Sequence, residues 1–490
     1  MELDWAANEL KTVNLNDKRL NERLVGILKN LSKNPHLSIP AACGGHSETM
    51  AAYRFFENPK TTIQNILQPH RDATEQRIAE QENVLFVQDS TELDLTRPEQ
   101  QMRGLGPIGT SQTRRRGMYL HLLGAFTTDG TPLGTYWEKM IIRKDETPEE
   151  KALKKKNRTK LPIEEKESFR WLEGYRETIE FAKRHEKTTC VCVGDSESDI
   201  FEVFVEPRVH NAHLIVRAFR KRDIETEDED EYENNVKASI RDAVYASPII
   251  ATKTIHVRAR PAAVPHAKGK RDKARTTRDA FLEIRKGTVV IKAPKHLGDK
   301  YDSVTLNVVM VSEASPPGSE TPVEWILLTT LPIETLEEVL KVIEYYESRW
   351  MIEIFFKTLK SGCEVESLQF EEASRFESCL AVYLIVAWRV LFICRLGRSH
   401  PDWSCEILFD ESEWKSTYRV MYPKRKLPSE APRLQEMIRM IGELGGWVST
   451  PKKQEMPGPQ TTWIGLQRVH DFARAWNTFG PGAEKSKKDV

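Results

Sequence analysis

Apolar side chains recur at helical spacing at Leu20, Leu24, Ile27 and Leu28, behind Asn16 or Asp17 as cap, and predict a helix near the start of the chain. Pro40-Ala41-Ala42-Cys43-Gly44-Gly45 predicts a break. Glu48 to Phe56 predicts a second helix, closed by Asn58-Pro59. From about residue 80 the period becomes that of strands. Val84 to Gln88 forms an apolar strand that Asp89 closes. Tyr119–Phe126 and Gly134–Ile142 flank Thr128-Asp129-Gly130, a turn signature, and predict an antiparallel hairpin. Then come a helix over Glu164–Arg184, a buried strand over Thr188–Val193 leading to Gly194-Asp195, a short helix over Asp199–Val205 and a strand over His213–Arg217. Strands separated by helices, with an early hairpin, predict a mixed α/β sheet.

Between Phe219 and about Pro322 this rhythm is lost. An acidic run (Glu225 to Glu233), a basic run (Lys268 to Arg278) and alternating pieces at Gly287–Lys292 and Ser303–Val311 predict a β-rich insertion with solvated loops. Trp325–Leu328 predicts one more strand, Glu334–Leu359 one long helix, and 371–399 a second long, apolar helix. Prolines punctuate the rest, and its last helix is expected over Thr462–Asn477. The chain therefore divides into a helical segment at 1–79, an α/β segment at 80–370 with its insertion at about 218–330, and a helical segment at 371–490.

Composition changes this picture little. The 490 residues suffice for two or three domains. Basic and acidic residues number 73 each, which counts mildly against a nucleic-acid binder, although Ala251–Lys300 holds 14 basic and 4 acidic residues. Seven cysteines without a CxxC pair fit a reducing cytosol, and the first residues lack the apolar core of a secretory signal. The most apolar stretch, Leu380–Leu396, carries Arg389 and Arg395 and reads as a core helix, so no membrane span is expected.

The candidate chemistry lies in YESRWMIEIFFKTLK. On a helix with Tyr346 at zero, Glu353 falls near about −20°, Lys360 near about −40° and Arg349 near about −60°. One carboxylate is flanked by two cations and a phenol, while Ile352, Phe355, Phe356 and Leu359 form an apolar stripe. A carboxylate can hold a divalent metal and cations beside it can hold phosphates, a set suited to phosphoryl transfer on a polyanion. Asp89 and Asp195, each ending an apolar strand, can join Glu353 at one edge of a sheet. Read separately, the four polar groups fit a solvated face, each aspartate fits a cap or turn, and Trp325 fits a core aromatic.

With these residues in view, the chain resembles the bacterial cut-and-paste DDE transposases of the insertion sequence four family, the type borne by the kanamycin-resistance composite transposon. The family signature Y-x2-R-x3-E-x6-K is present without a gap as Tyr346, Arg349, Glu353 and Lys360. FVQDST supplies Asp89, and CVGDSESDIF supplies Asp195 with its companion Asp199. AAYRFFENP, RRRGMYLH, LPIEEKESFRW, LIVRAFRKR and ETPVEWILLT extend the resemblance over most of the chain.

The resemblance implies an RNase H-like fold, N-terminal helices that bind transposon ends and C-terminal helices that dimerise. It implies two Mg²⁺ or Mn²⁺ ions on Asp89, Asp195 and Glu353. Tyr346, Arg349 and Lys360 match phosphate-gripping positions, Trp325 a base-stacking tryptophan and Arg217 a DNA-contacting arginine. Where the family often has His-Lys after the glutamate, this chain has Phe356-Lys357, and Lys357 is left to serve. The implied partners are transposon-end and target DNA in a homodimeric synaptic complex, in a bacterial cytoplasm. A catalytically silent DNA-binding regulator and a standalone metal-dependent nuclease are the alternatives.

Overall fold

The computed structural model describes residues 4–99, 101–109, 114–157, 160–225, 239–259, 274–298, 300–318, 320–448 and 456–481. All but the first residue of the acidic run, and the first half of the basic run, lie outside them. The chain forms two compact units from discontinuous stretches. One gathers Met1–Gln81, Asp89–Asp145 and Trp350–Val490, the other Glu82–Gln88 and Glu146–Arg349. Among the described residues the strands are β1 (Asn83–Asp94), β2 (Gly106–Pro107), β3 (Arg116–Phe126), β4 (Pro132–Ile141), β5 (Thr189–Gly194), β6 (Ala212–Arg217), β7 (Ala251–Val257), β8 (Arg278–Ile291), β9 (Val304–Glu313) and β10 (Glu324–Thr329).

In the first unit, Asp17 caps the Lys18–Lys33 helix by accepting the Arg19 N–H at 2.9 Å. The expected break at Pro40 is instead a short helix, Ile39–Cys43. Proline is tolerated in a first helical turn, and Gly44 at φ +75° ends the helix. The helices His46–Glu57 and Ile63–Ala79 follow. β3 and β4 form the expected hairpin, with Gly130 at φ +82° in the turn, and β3 also neighbours β1. The core helix is Ala373–Ser399. By length and composition it would cross a membrane, but 83% of its most apolar window is buried inside the protein. The helices Glu411–Met421, Leu434–Leu444 and Pro459–Phe479 close a second apolar cluster around Trp414, Met437, Ile438 and Trp463. All seven cysteines are buried and unbridged.

One buried polar network ties this unit together. Glu9 accepts from Arg77 Nη1 and Nη2 at 2.9 Å each and meets His70 Nδ1 at 2.5 Å. His70 Nε2 accepts the Thr135 N–H at 3.0 Å, so the ring proton sits on Nδ1 and is donated to Glu9. Burial pushes the Glu9 pKa up, but His70 and Arg77 outweigh it and hold it at about 2, against 4.5 for a free side chain. A depressed carboxylate stabilises the fold above the unfolded pKa, and that contribution drains away as pH falls from 4.5 toward 2. Glu9→Gln is therefore expected to cost on the order of 3 kcal/mol at pH 7 and much less at pH 2. Urea midpoints at the two pH values test this.

In the second unit, β1 and β5 pair in parallel from Asn83↔Thr189 to Val87↔Val193, and β5 pairs in parallel with β6. β10 joins β6 antiparallel, and β9, β8 and β7 follow in an antiparallel run. The Phe169–Arg184 helix packs on β5 and β6. This mixed sheet with flanking helices is an RNase H-like α/β fold carrying a β-rich insertion.

Three further expectations are corrected. β1 does not stop at Asp89 but runs on to Asp94. β8 begins nine residues before the expected Gly287. The Glu334–Leu359 helix is not continuous: it consists of Leu336–Ser348, a turn at Arg349, and Trp350–Lys357, then widens into a π turn over Thr358–Gly362.

Candidate active site

The interruption at Arg349 divides the signature. Tyr346 and Arg349 belong to the second unit; Glu353, Lys357 and Lys360 belong to the first. The π turn also shifts the helical phase before Lys360, so a single straight polar face does not form.

Within the second unit, five of the expected residues meet. The rings of Trp325 and Tyr346 pack edge to face, their centroids 5.6 Å apart. The Arg349 guanidinium lies 5.8 Å from the Tyr346 ring centre. Arg217, at the exposed end of β6, donates from Nη2 to the Glu324 carbonyl at 3.2 Å, beside Trp325. Tyr346 is not a presented phenol as expected; it is only 6% exposed. Burial pushes its pKa up, Arg349 and Arg217 pull it down, and the Asp195 charge raises it again. Asp195 thus lies within electrostatic reach of the same ring. The cluster thus sets a largely buried phenol against an indole edge, with two guanidinium groups in electrostatic reach of it.

Asp195 follows β5 directly. Its Oδ1 accepts the Glu197 N–H at 2.8 Å and so caps the Ser196–Ser198 turn. Val87 pairs with Val193, and Asp89 and Asp195 each lie two residues further along their chains. In the first unit, Asp89 Oδ1 accepts the Ser90 N–H at 2.7 Å, and Ser90 Oγ meets the buried His121 Nδ1 at 2.8 Å. Lys360 donates to the Glu92 carbonyl of β1 at 2.8 Å and pairs with Glu366 at 3.2 Å. Glu366 in turn accepts the Asp94 N–H at 2.7 Å. Glu353 opens the Trp350–Lys357 helix, whose Ile352, Phe355 and Phe356 are buried as the apolar stripe predicts; Trp350 is exposed.

Two residues acquire roles that spacing alone does not reveal. Glu366 locks Lys360 to β1 across a long sequence separation. Asp199, wholly buried, accepts the Phe219 N–H at 2.8 Å and the Arg220 N–H at 2.6 Å, and pairs with Arg222. It therefore fixes the loop after β6.

The donor chemistry fits a hard divalent cation, since carboxylate oxygens are its preferred ligands. Among the described residues no group of three or more His, Cys, Asp or Glu side chains is gathered to hold a metal ion. The fit thus rests on ligand type.

An RNase H-like sheet with Asp89 within β1, Asp195 directly after β5 and a glutamate on a later helix carries the residue types that polynucleotidyl transferases use. Three family models match in succession: transposase DNA-binding over residues 2–61, transposase DDE domain over 170–388, and transposase Tn5 dimerisation domain over 385–478. The chain belongs to the DDE transposases of the Tn5 type. It is a DNA-cutting and strand-transferring enzyme that binds DNA and forms a homodimer, in a family that uses divalent metal ions. Asp195, Trp325, Tyr346, Arg349, Glu353 and Lys360 fall inside the DDE-domain match; Asp89 precedes it.

Proposed function

We propose that this transposase frees its element by a hairpin route, with Asp89, Asp195 and Glu353 as the acidic set holding two Mg²⁺ or Mn²⁺ ions. The observation that carries the reading is the Trp325–Tyr346–Arg349 cluster within reach of Asp195. Lys360, seven residues after Glu353, is tied to the Glu92 carbonyl, three residues after Asp89, and both acids belong to the same compact unit. When bound, the ions supply Lewis acidity and a water of lowered pKa.

The chain's own residues do the positioning. Arg349 and Lys360 hold phosphate oxygens, with Lys357 beside them; Tyr346 packs against Trp325, and Arg217 grips the backbone near it. In this reading, water cuts one strand at the element's end. The freed 3′-hydroxyl attacks the opposite strand, displacing the flanking DNA and closing a hairpin. Water reopens the hairpin, and the 3′-end joins target DNA. A hairpin needs one base out of the stack, and Trp325 offers an indole to receive it. Segments 1–79, 80–370 and 371–490 are assigned to end binding, catalysis and dimerisation, and the enzyme to the bacterial cytoplasm.

The test is incubation of full-length protein with a duplex element end and Mg²⁺. Nicked, hairpin and target-joined products should appear in that order. Nicks without hairpins would eliminate the hairpin route, and degradation without joined products would favour a plain nuclease. Trp325→Ala should slow hairpin closure by roughly 5- to 100-fold and spare the first nick, as resolved on denaturing gels.

A further inference from the structure

The loop after β6 carries a feature that the catalytic reading does not use. Phe219 is 78% exposed. Covering such a ring with a flat apolar partner is favourable. Its backbone is fixed, because the N–H groups of Phe219 and Arg220 both donate to Oδ2 of the wholly buried Asp199. Arg222, two residues on, completes the clamp by donating from Nε to Asp199 Oδ1 at 2.9 Å. The ring is therefore presented from a rigid loop, with the exposed Arg217 two residues before it.

Arg220 and Lys221, next in the chain, line a cleft of about 640 Å³. Lys166 enters it from the approach to the Phe169–Arg184 helix, and Lys292 and Lys295 from the segment after β8. That segment is tied to the same loop, since the Lys292 N–H donates to the Asp223 carbonyl at 2.9 Å. The acids in the lining are Glu202 and Asp223. None of the five cations forms an ion pair with a described residue. Five like charges around one cleft repel one another, so an anion with several regularly spaced charges is favoured there.

We propose that Phe219 and this cleft form a site for unpaired DNA, the phosphates lying along the cations and one base stacking on the Phe219 ring. A cationic track beside an exposed aromatic is the general chemistry of single-strand binding, because every base offers a π-face. A duplex keeps its bases stacked internally and gives an aromatic ring no face to cover. The proposal rests on DNA being the substrate, but not on the acidic set or the hairpin route.

The experiment uses the full-length protein in Ca²⁺ and a fluorescein-labelled oligo-dT, read by anisotropy. Phe219→Ala should weaken binding roughly 5- to 100-fold, and Phe219→Trp should restore it. Lys292→Ala with Lys295→Ala should flatten the slope of log K against log salt by about 1.4. In wild type, 5-iodouracil in the oligonucleotide should photocrosslink to Phe219, a readout that needs no variant to fold. Wild-type affinity in Phe219→Ala, no rescue by tryptophan, an unchanged salt slope or no crosslink at Phe219 would each overturn the site. An equal loss on a blunt duplex would reassign the cleft to paired DNA and overturn it too. Cutting of a duplex end by wild type in Mg²⁺ checks the proposed function separately, since it needs no oligo-dT binding.

Discussion

Asp195→Asn and Glu353→Gln are each expected to lower strand cutting at a duplex end by at least about 10³-fold, while end binding shifts by less than about 3-fold. Both changes keep shape and remove charge. That choice matters at position 195, where one carboxylate oxygen already serves the fold by accepting the Glu197 N–H. An asparagine oxygen can keep that cap, so Asp195→Asn separates lost ligand chemistry from a lost turn, whereas Asp195→Ala removes both. Glu353 lies in the first turn of the Trp350–Lys357 helix, where an acid also favours the helix dipole by about 0.5 kcal/mol. Such a term is far too small to account for a 10³-fold loss. Asp89→Asn should behave alike. The measurement is the yield of nicked strand on a denaturing gel beside a mobility shift with the same DNA. Wild-type cutting by either variant would remove that residue from the acidic set.

The parts of the fold that the sequence makes plain are those buried on both faces. Val84–Val87 and Cys190–Val193 read as continuous apolar runs because they pair in the middle of a sheet under helices. The Ala373–Ser399 helix is apolar all round for the same reason. The parts that escape are half-solvated. The first half of β8 alternates exposed Asp279 and Phe281 with buried Ala280 and Leu282, and reads as loop when scanned for apolar runs. Apart from buried Leu93, the end of β1, Ser90 to Asp94, is polar because Arg115 and Tyr119 donate to its carboxylates and Glu366 accepts its Asp94 N–H, and all three come from elsewhere in the chain.

The break at Arg349 has no local cause in the sequence. Its neighbours are adequate helix formers, and the interruption coincides with the passage from one compact unit to the other. At the site, residue types were legible and partnerships were not. Trp325 on a strand and Tyr346 on a helix are each compatible with plain core packing. Only their edge-to-face contact, with Arg349 beside it, gives them a common environment.

Asp199→Ala is expected to be the most destabilising single change near the site, by about 3–5 kcal/mol. The Asp199 carboxylate is wholly buried and saturated: Oδ1 takes the Arg222 guanidinium, and Oδ2 takes the N–H groups of Phe219 and Arg220. Removing it leaves a buried cation and two backbone donors without an acceptor, and each such group carries its full desolvation cost. Replacing both partners by apolar side chains should cost less than removing one, so Asp199→Ala/Arg222→Met is expected to be more stable than Asp199→Ala alone. Urea midpoints order the three proteins globally. Amide exchange gives the local answer: the Phe219 and Arg220 amides, protected by Asp199 in wild type, should exchange fast in both variants. A single mutant more stable than the double would show that Arg222 finds another partner, and slow exchange at both amides in Asp199→Ala would show that the loop is held by something other than this carboxylate.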